Sequence, residues 1–228
     1  MTQKILNFLS KFHIVPKKMS IYLDAFIHPT YANDKKIKTD FQRLEFLGDA
    51  VISMQVAEHL YNKYKNKDEG QMTRDKILMI QSRTFVKAAK DLGLMNLVKL
   101  SDSVLKNANN YDKVYEDTFE AFIGAVYLDQ GLIKVKKILK NTIIHYFETN
   151  ALNLFKDYKS LLQQLTQTIN NHAPQYVIEK KEKNFVVSVY FNKIKYASAI
   201  NVNSKFAEQS AAMIAYRKIA MKYNKEHK

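Results

Sequence analysis

The chain reads as an all-α region followed by a small α+β module of order α-β-β-β-α. Three observations carry this reading. Apolar residues keep helical spacing from the start to about residue 150. After about residue 156 the pattern changes to one amphipathic stretch and three short runs rich in Val, Ile, Tyr and Phe. Short polar connections separate those runs, which favours an antiparallel meander with helices on one face.

Taken in order, the periodicity predicts helices near 3–12, 20–28, 41–65, 71–91, 112–130 and 132–149, with no strand in this region. The segment KNKDEGQ (65–71) ends the third with charge and a glycine, and Asp68 or Thr73 is placed to cap the next. In DLGL (91–94), Gly93 suits the left-handed position of a helix C-terminus. DYKSLLQQLTQTIN (157–170) is an amphipathic helix, and PQYVIEKK, NFVVSVYF and KIKYASAINV are the strands. SKFAEQSAAMIAYRKIA (204–220) closes the module, with Ser204 as candidate N-cap. The expected domains are 1–152 and 157–228.

The formal net charge is +14 and Cys is absent, so disulfide frameworks, thiolate metal sites and Cys nucleophiles are excluded. No apolar run is long enough to span a membrane, and MTQKILNFLSKF lacks a signal-peptide cleavage pattern. The expectation is a soluble cytoplasmic protein. Residues 151–228 hold 13 Lys+Arg against 5 Asp+Glu, and residues 1–150 hold 23 against 17. Positive charge is therefore denser in the small module, the better candidate for a polyanionic partner. Only Arg43, Arg74, Arg83 and Arg217 are arginines, so phosphate contact by lysine point charges is expected over bidentate base reading.

QRLEFLGDAVI (42–52) is almost wholly apolar, yet carries Glu45 and Asp49 at i and i+4, on one helix face. Such a pair repels by about 0.2–0.5 kcal/mol even in water, and burial of an unpaired carboxylate costs several kcal/mol more. Salt bridges, for example to Arg43 or a lysine of another helix, are one compensation. YEDTFEAFIGAVYLD (115–129) repeats the composition, with Asp117 and Glu120 at i and i+3 and Gly124 inside the helix. A helical glycine costs about 1 kcal/mol relative to alanine; close backbone contact is a reason to keep one. If the two helices pack face to face, four carboxylates converge on a cation. All-oxygen ligands point to Mg2+ or Mn2+, and such a site beside nucleic acid suggests metal-assisted phosphodiester hydrolysis.

QRLEFLGDAVI resembles the signature of the ribonuclease III family, ERLEFLGDxxL/I. EDTFEAFIGAVYLD resembles its second acidic helix, DEGQMTR its DEG turn, and SLLQQLTQ…PQY…AEQSAA the double-stranded RNA-binding domain that follows. The resemblance covers nearly the whole chain in the right order. It implies an all-α endonuclease domain followed by a small α+β double-stranded RNA-binding domain. It also implies a Mg2+-dependent homodimer cutting RNA duplexes, with Mn2+ able to substitute and no small-molecule cofactor or membrane partner. The products would carry 5′-phosphates, 3′-hydroxyls and short 3′ overhangs, from ribosomal RNA precursors and structured messenger RNA. Residue by residue, Glu45, Asp117 and Glu120 match the metal-binding carboxylates, Asp49 and Glu120 the catalytic residues, and Glu69 an acid lining the cleft.

The chain departs from the pattern at Gln42, a cleft-lining position usually Glu, and at Pro29 in IHPT (27–30), usually Arg. Gln163, Gln164 and Lys205 match RNA-contacting positions of the small domain. Its last helix opens with Phe206 inside the usual basic run, and its first strand connection, EKKEKN (179–184), is short. Weaker, salt-dependent RNA binding is expected. The six histidines fall at no metal-ligand spacing, and His28 lies in a segment that touches RNA in the family. A non-catalytic double-stranded RNA-binding scaffold on the same fold is the alternative, opposed by the presence of all four core acids. A DNA-binding helical protein has no motif in its favour.

Overall fold

The computed structural model describes residues 1–107, 111–152 and 157–226. The chain divides into two units, Met1–Phe155 and Lys156–Lys228, each with its own hydrophobic core. In the first, helices α1 (Thr2–Ser10), α2 (Met19–Asp24) and α3 (Pro29–Lys35) lead into the long α4 (Gln42–Lys63). Helices α5 (Glu69–Ile80), α6 (Ser82–Leu92) and α7 (Asp102–Asn107) follow, with a 3-10 turn at Leu94–Asn96. Helix α8 (Asp112–Gln130) runs against α4. Then α9 (Leu132–Leu139), a π turn (Lys140–Ile144) and α10 (His145–Glu148) form one continuous rod.

Helix α8 is the axis of the first core. Its Phe119, Ala121, Phe122, Ile123, Ala125 and Val126 are fully buried. The Phe122 ring meets Phe8 edge-on at 5.1 Å and stacks with Phe26 at 6.4 Å. On its α4 side the contact is backbone to backbone. A Cβ on Gly48 would fall 1.8 Å from the Glu120 carbonyl oxygen, and one on Gly124 2.2 Å from that of Leu44. Each glycine is thus required by the other helix. The far end of α8 holds Asp129, which is buried. Its carboxylate accepts from the backbone N–H of Lys17 and Lys18 at 3.0 and 2.9 Å and from the Tyr22 hydroxyl at 3.0 Å.

Several expected elements differ. The helix expected over 71–91 is two, because Gln81 is extended (ψ 152°). The Leu78 carbonyl, which would pair with Ser82 in a continuous helix, instead accepts from the Gln81 amide and the Thr84 hydroxyl. Of the two candidate caps for α5, Asp68 is the cap, paired reciprocally with Gln71. The helix expected over 20–28 stops at Asp24, since Ile27 forms a parallel bridge with Lys99. Pro29 then starts α3 at the first-turn position that proline suits, and the His28 ring accepts from the Thr30 N–H. Gly93 adopts the left-handed conformation after α6 (φ 72°), as expected.

In the second unit, α11 (Tyr158–Asn170) precedes β1 (Gln175–Lys181), β2 (Asn184–Phe191), β3 (Ile194–Asn201) and α12 (Ser204–Glu226). The sheet is antiparallel in the order β1-β2-β3, with Ile178 opposite Val187 and Val187 opposite Ala199. Ala207, Ala211, Ala212 and Ala215 put no bulk on the buried face of α12. That face shares a core with Val187 and Val189 of the sheet and Leu162 of α11. The first connection is shorter than 179–184: the strands run through Lys181 and from Asn184, leaving a turn of Glu182 and Lys183. Asn203, not Ser204, caps α12, its side-chain oxygen accepting from the N–H of Lys205 and Phe206.

The α4–α8 contact generates a prediction. Gly48→Ala and Gly124→Ala force two backbones apart, and overpacking of this kind costs about 1–3 kcal/mol even after the helix-propensity gain. Urea unfolding should show that loss for both variants. Gly70→Ala is the control, where the nearest atom lies 3.4 Å from the added methyl and belongs to the Arg74 side chain. Equal stability for all three variants would refute the account.

Candidate metal centre

The Gly48–Gly124 crossing decides which side chains meet. Glu45 lies one turn before Gly48 on α4, and Glu120 one turn before Gly124 on α8. Asp117 lies a further turn back on α8. These three carboxylates each offer an oxygen within 4.8 Å of the other two. Asp117 and Glu120 are only 8% and 7% exposed, and Glu45 is half-buried.

Three acids this close hold their protons hard. Burial, then the Asp117 charge, pushes the Glu45 carboxyl up to about 7, against partial relief from Lys113. Burial pushes Glu120 up to about 8, helped by Asp49, Glu116, Glu45 and Asp117. Asp117 is also raised, by burial first, although Lys113 opposes the shift. The Lys113 ammonium stands 2.6 Å from Asp117 Oδ1 as an ion pair. This ammonium is largely exposed and is shared among Asp117, Glu116 and Glu45. Hard oxygen ligands in surplus over local positive charge are what a divalent cation with a preference for carboxylate takes.

Of the four core acids singled out in the sequence, three are thus brought together. Asp49 is exposed and lies outside the trio, near enough to Glu120 to raise it. Gln42 opens α4, exposed, its N–H donating to Asp40. Glu69 opens α5, exposed, and accepts from the Thr73 hydroxyl at 3.0 Å. Neither belongs to the cluster. Gln163 and Gln164 are exposed on α11, and Lys205 is exposed in the first turn of α12. Lys113 and Glu116 were not singled out. Lys113 sits at i−4 from Asp117, the spacing of a helical ion pair, and that was the available signal. Glu116 accepts from Ser82 Oγ at 2.9 Å and adds charge beside the trio. His28 stands close enough to Asp117 to interact with it, but burial keeps its imidazole below the usual range.

Residues 18–147 match a family model described as Ribonuclease-III-like, and residues 158–219 one described as double-stranded RNA binding motif. The chain is 39% identical to ribonuclease 3 of Ureaplasma parvum serovar 3, over 95% of this chain and 96% of that one. It is 36% identical to ribonuclease 3 of Leuconostoc mesenteroides subsp. mesenteroides, over 92% of each. Ribonuclease 3 of Mycoplasmoides gallisepticum is 41% identical, but this chain spans only 32% of its length. Among solved structures, the nuclease domain of ribonuclease III from Campylobacter jejuni is similar, with 27% identity and a TM-score of 0.56. That match covers 62% of this chain and 96% of the other.

The raised acids set a pH dependence. The folded chain binds more protons than the unfolded one between the ordinary carboxylate range and about pH 8, so stability falls as pH rises through that window. In EDTA, Glu120→Gln should flatten this decline and raise Tm at pH 8 by roughly 2–4 °C for each kcal/mol relieved. A divalent cation should do the same for the wild type and less for the variant. Scanning calorimetry from about pH 5 to pH 8 reads both; parallel Tm profiles for the two proteins would refute it.

Proposed function

This chain belongs to the ribonuclease III family and is an endoribonuclease acting on double-stranded RNA; from that premise we propose that Glu45, Asp117 and Glu120 hold a Mg2+ ion at which RNA phosphodiester bonds are hydrolysed. The observation that carries this reading is the convergence of three carboxylates, two of them buried, against one largely exposed ammonium. Mn2+ fits the same hard ligands. When bound, the ion supplies charge neutralisation and Lewis acidity to the phosphodiester.

The chain's own residues do the rest. Asp49, exposed and close enough for its charge to act on Glu120, accepts a hydrogen bond from the attacking water. Lys113, mostly exposed, serves as counter-ion to Asp117 and yields to a divalent cation. Glu69 and the neutral Gln42 line the cleft, and Gln42 removes one negative charge from its rim. In the small domain, exposed Gln163 and Gln164 meet the RNA minor groove with its 2′-hydroxyls, and Lys205 meets phosphate. The products carry 5′-phosphates and 3′-hydroxyls with short 3′ overhangs, and the substrates are ribosomal RNA precursors and some messenger RNAs in the cytoplasm. No helix among the described residues is long and apolar enough to cross a membrane.

The enzyme works as a homodimer in this reading. Phe46, beside Glu45 on α4, is 82% exposed, an unusual place for so large an apolar side chain. It borders a hollow of about 1080 Å³ that Leu47 and Leu128 also line. The Campylobacter jejuni nuclease domain contains a region involved in dimer formation. A second copy placed over Phe46 covers this patch.

Two tests follow from the reading. Pure protein with a long RNA duplex should cut it to short duplexes in Mg2+ and not in EDTA. Glu120→Gln should lower the rate by at least about 100-fold, the scale of losing a group that acts in the transition state. Wild-type binding without cutting would overturn the metal assignment. Separately, Phe46→Glu should turn a dimer into a monomer by sedimentation, and an unchanged dimer would reject the Phe46 interface.

A further inference from the structure

Lys113 occupies a carboxylate that the metal reading assigns to a divalent cation. Its Nζ is 2.6 Å from Asp117 Oδ1, one turn further along α8. An ammonium and a divalent ion on one small carboxylate repel each other strongly, because like charges at contact distance do. Metal entry is therefore an exchange, and its cost depends on where the ammonium goes next.

Glu116 offers that place. Lys113 precedes Asp117 by four residues and Glu116 by three, so one lysine reaches both across the helix surface. Glu116 Oε2 is 3.7 Å from the same Nζ. A movement of about 1 Å brings the two to hydrogen-bond distance, well within the freedom of a four-carbon stem. The Lys113 side chain is 70% exposed, so the swing passes through solvent rather than core. Glu116 itself lies outside the trio. Pairing there leaves all three metal-binding carboxylates open.

The receiving carboxylate is held in advance. The Glu116 side chain is only 19% exposed, and Ser82 Oγ donates to its Oε2 at 2.9 Å. That oxygen is the one that faces Lys113. Ser82 opens α6 directly after the extended Gln81, so the break between α5 and α6 sets its position. A group already ordered costs less to pair than one that must first be immobilised.

We infer that Glu116 is a positioning residue for metal binding: it takes the Lys113 ammonium from Asp117 as the divalent ion enters, and Ser82 holds it ready for that exchange. The inference rests on the assignment of Mg2+ to Glu45, Asp117 and Glu120. With Glu116 present, one ion pair replaces another. Without it, metal entry sends the ammonium into water and the pair is lost. A plain effect of the Glu116 charge on the metal would need no Lys113 at all, and this difference is measurable.

The test is a Mn2+ titration of the full chain without RNA, with the free ion read by electron paramagnetic resonance. The site counted is the one lost in Glu120→Gln. Glu116→Gln should weaken it about tenfold, the scale of one charge-assisted hydrogen bond. Lys113→Ala should tighten it, because the competing ammonium is gone. In the Lys113→Ala background, Glu116→Gln should then cost less than about twofold, since two residues that act as a unit are not additive. Ser82→Ala should weaken binding about threefold with Lys113 present and leave it unchanged in the Lys113→Ala background. Circular dichroism in EDTA checks that each variant is folded. An equal loss on Glu116→Gln in both backgrounds would overturn the inference and leave the metal reading intact. So would unchanged affinity in Glu116→Gln. Absence of any Glu120-dependent Mn2+ site up to about 10 mM, beyond even weak protein cation sites, would overturn the metal reading and this inference with it.

Discussion

The structure depends on one contact: two helix backbones touching at Gly48 and Gly124. Ordinary helix pairs stand about 8–10 Å apart because side chains separate them. Here each glycine faces a carbonyl of the other helix, Glu120 in one case and Leu44 in the other. The crossing brings together acids whose own helices could not do so. Two acids one turn apart on α8 make half of a cluster, and Glu45 on α4 completes it. The helix-propensity cost of two glycines, about 1 kcal/mol each, is small beside what the crossing organises.

That arrangement is electrostatically uphill, and the surroundings do little to relieve it. Lys113 engages Asp117, but it is largely exposed and shared with Glu116 and Glu45. Glu116 and Asp49 add charge of the same sign next to the trio. In the second half of the chain the balance is reversed, with positive charge dense on a small scaffold of three strands and two helices. The acidic cluster and the basic module serve different partners: a cation in one, the phosphate backbone of double-stranded RNA in the other.

Much of this was legible in the sequence where a signal is local and strong. The long apolar helices α4 and α8, their internal glycines and the α-β-β-β-α order all follow from spacing and residue type. Other features depend on contacts that spacing does not report. Apolar periodicity continues across Gln81, so the break between α5 and α6 is set by side chains capturing the Leu78 carbonyl. The end of α2 is set by pairing with Lys99, far along the chain. At the site, i,i+4 spacing put Glu45 and Asp49 on one face, yet only Glu45 is directed into the crossing. Asp49 follows Gly48 and is exposed to solvent. The exposure of Phe46 was equally hidden, because a signature this apolar reads as wholly buried.

Asp129 has a consequence for the order in which the chain folds. Helix α2 has six residues, too short to persist alone in water. The N–H groups of Lys17 and Lys18 before it are satisfied by Asp129, more than a hundred residues later. Gln130 and Lys134 similarly hold the carbonyls of Val15 and His13. Residues 13–18 therefore gain these partners only when α8 and α9 are in place. During synthesis this N-terminal segment waits for the middle of the chain, and contacts of such sequence separation slow the search for the native state.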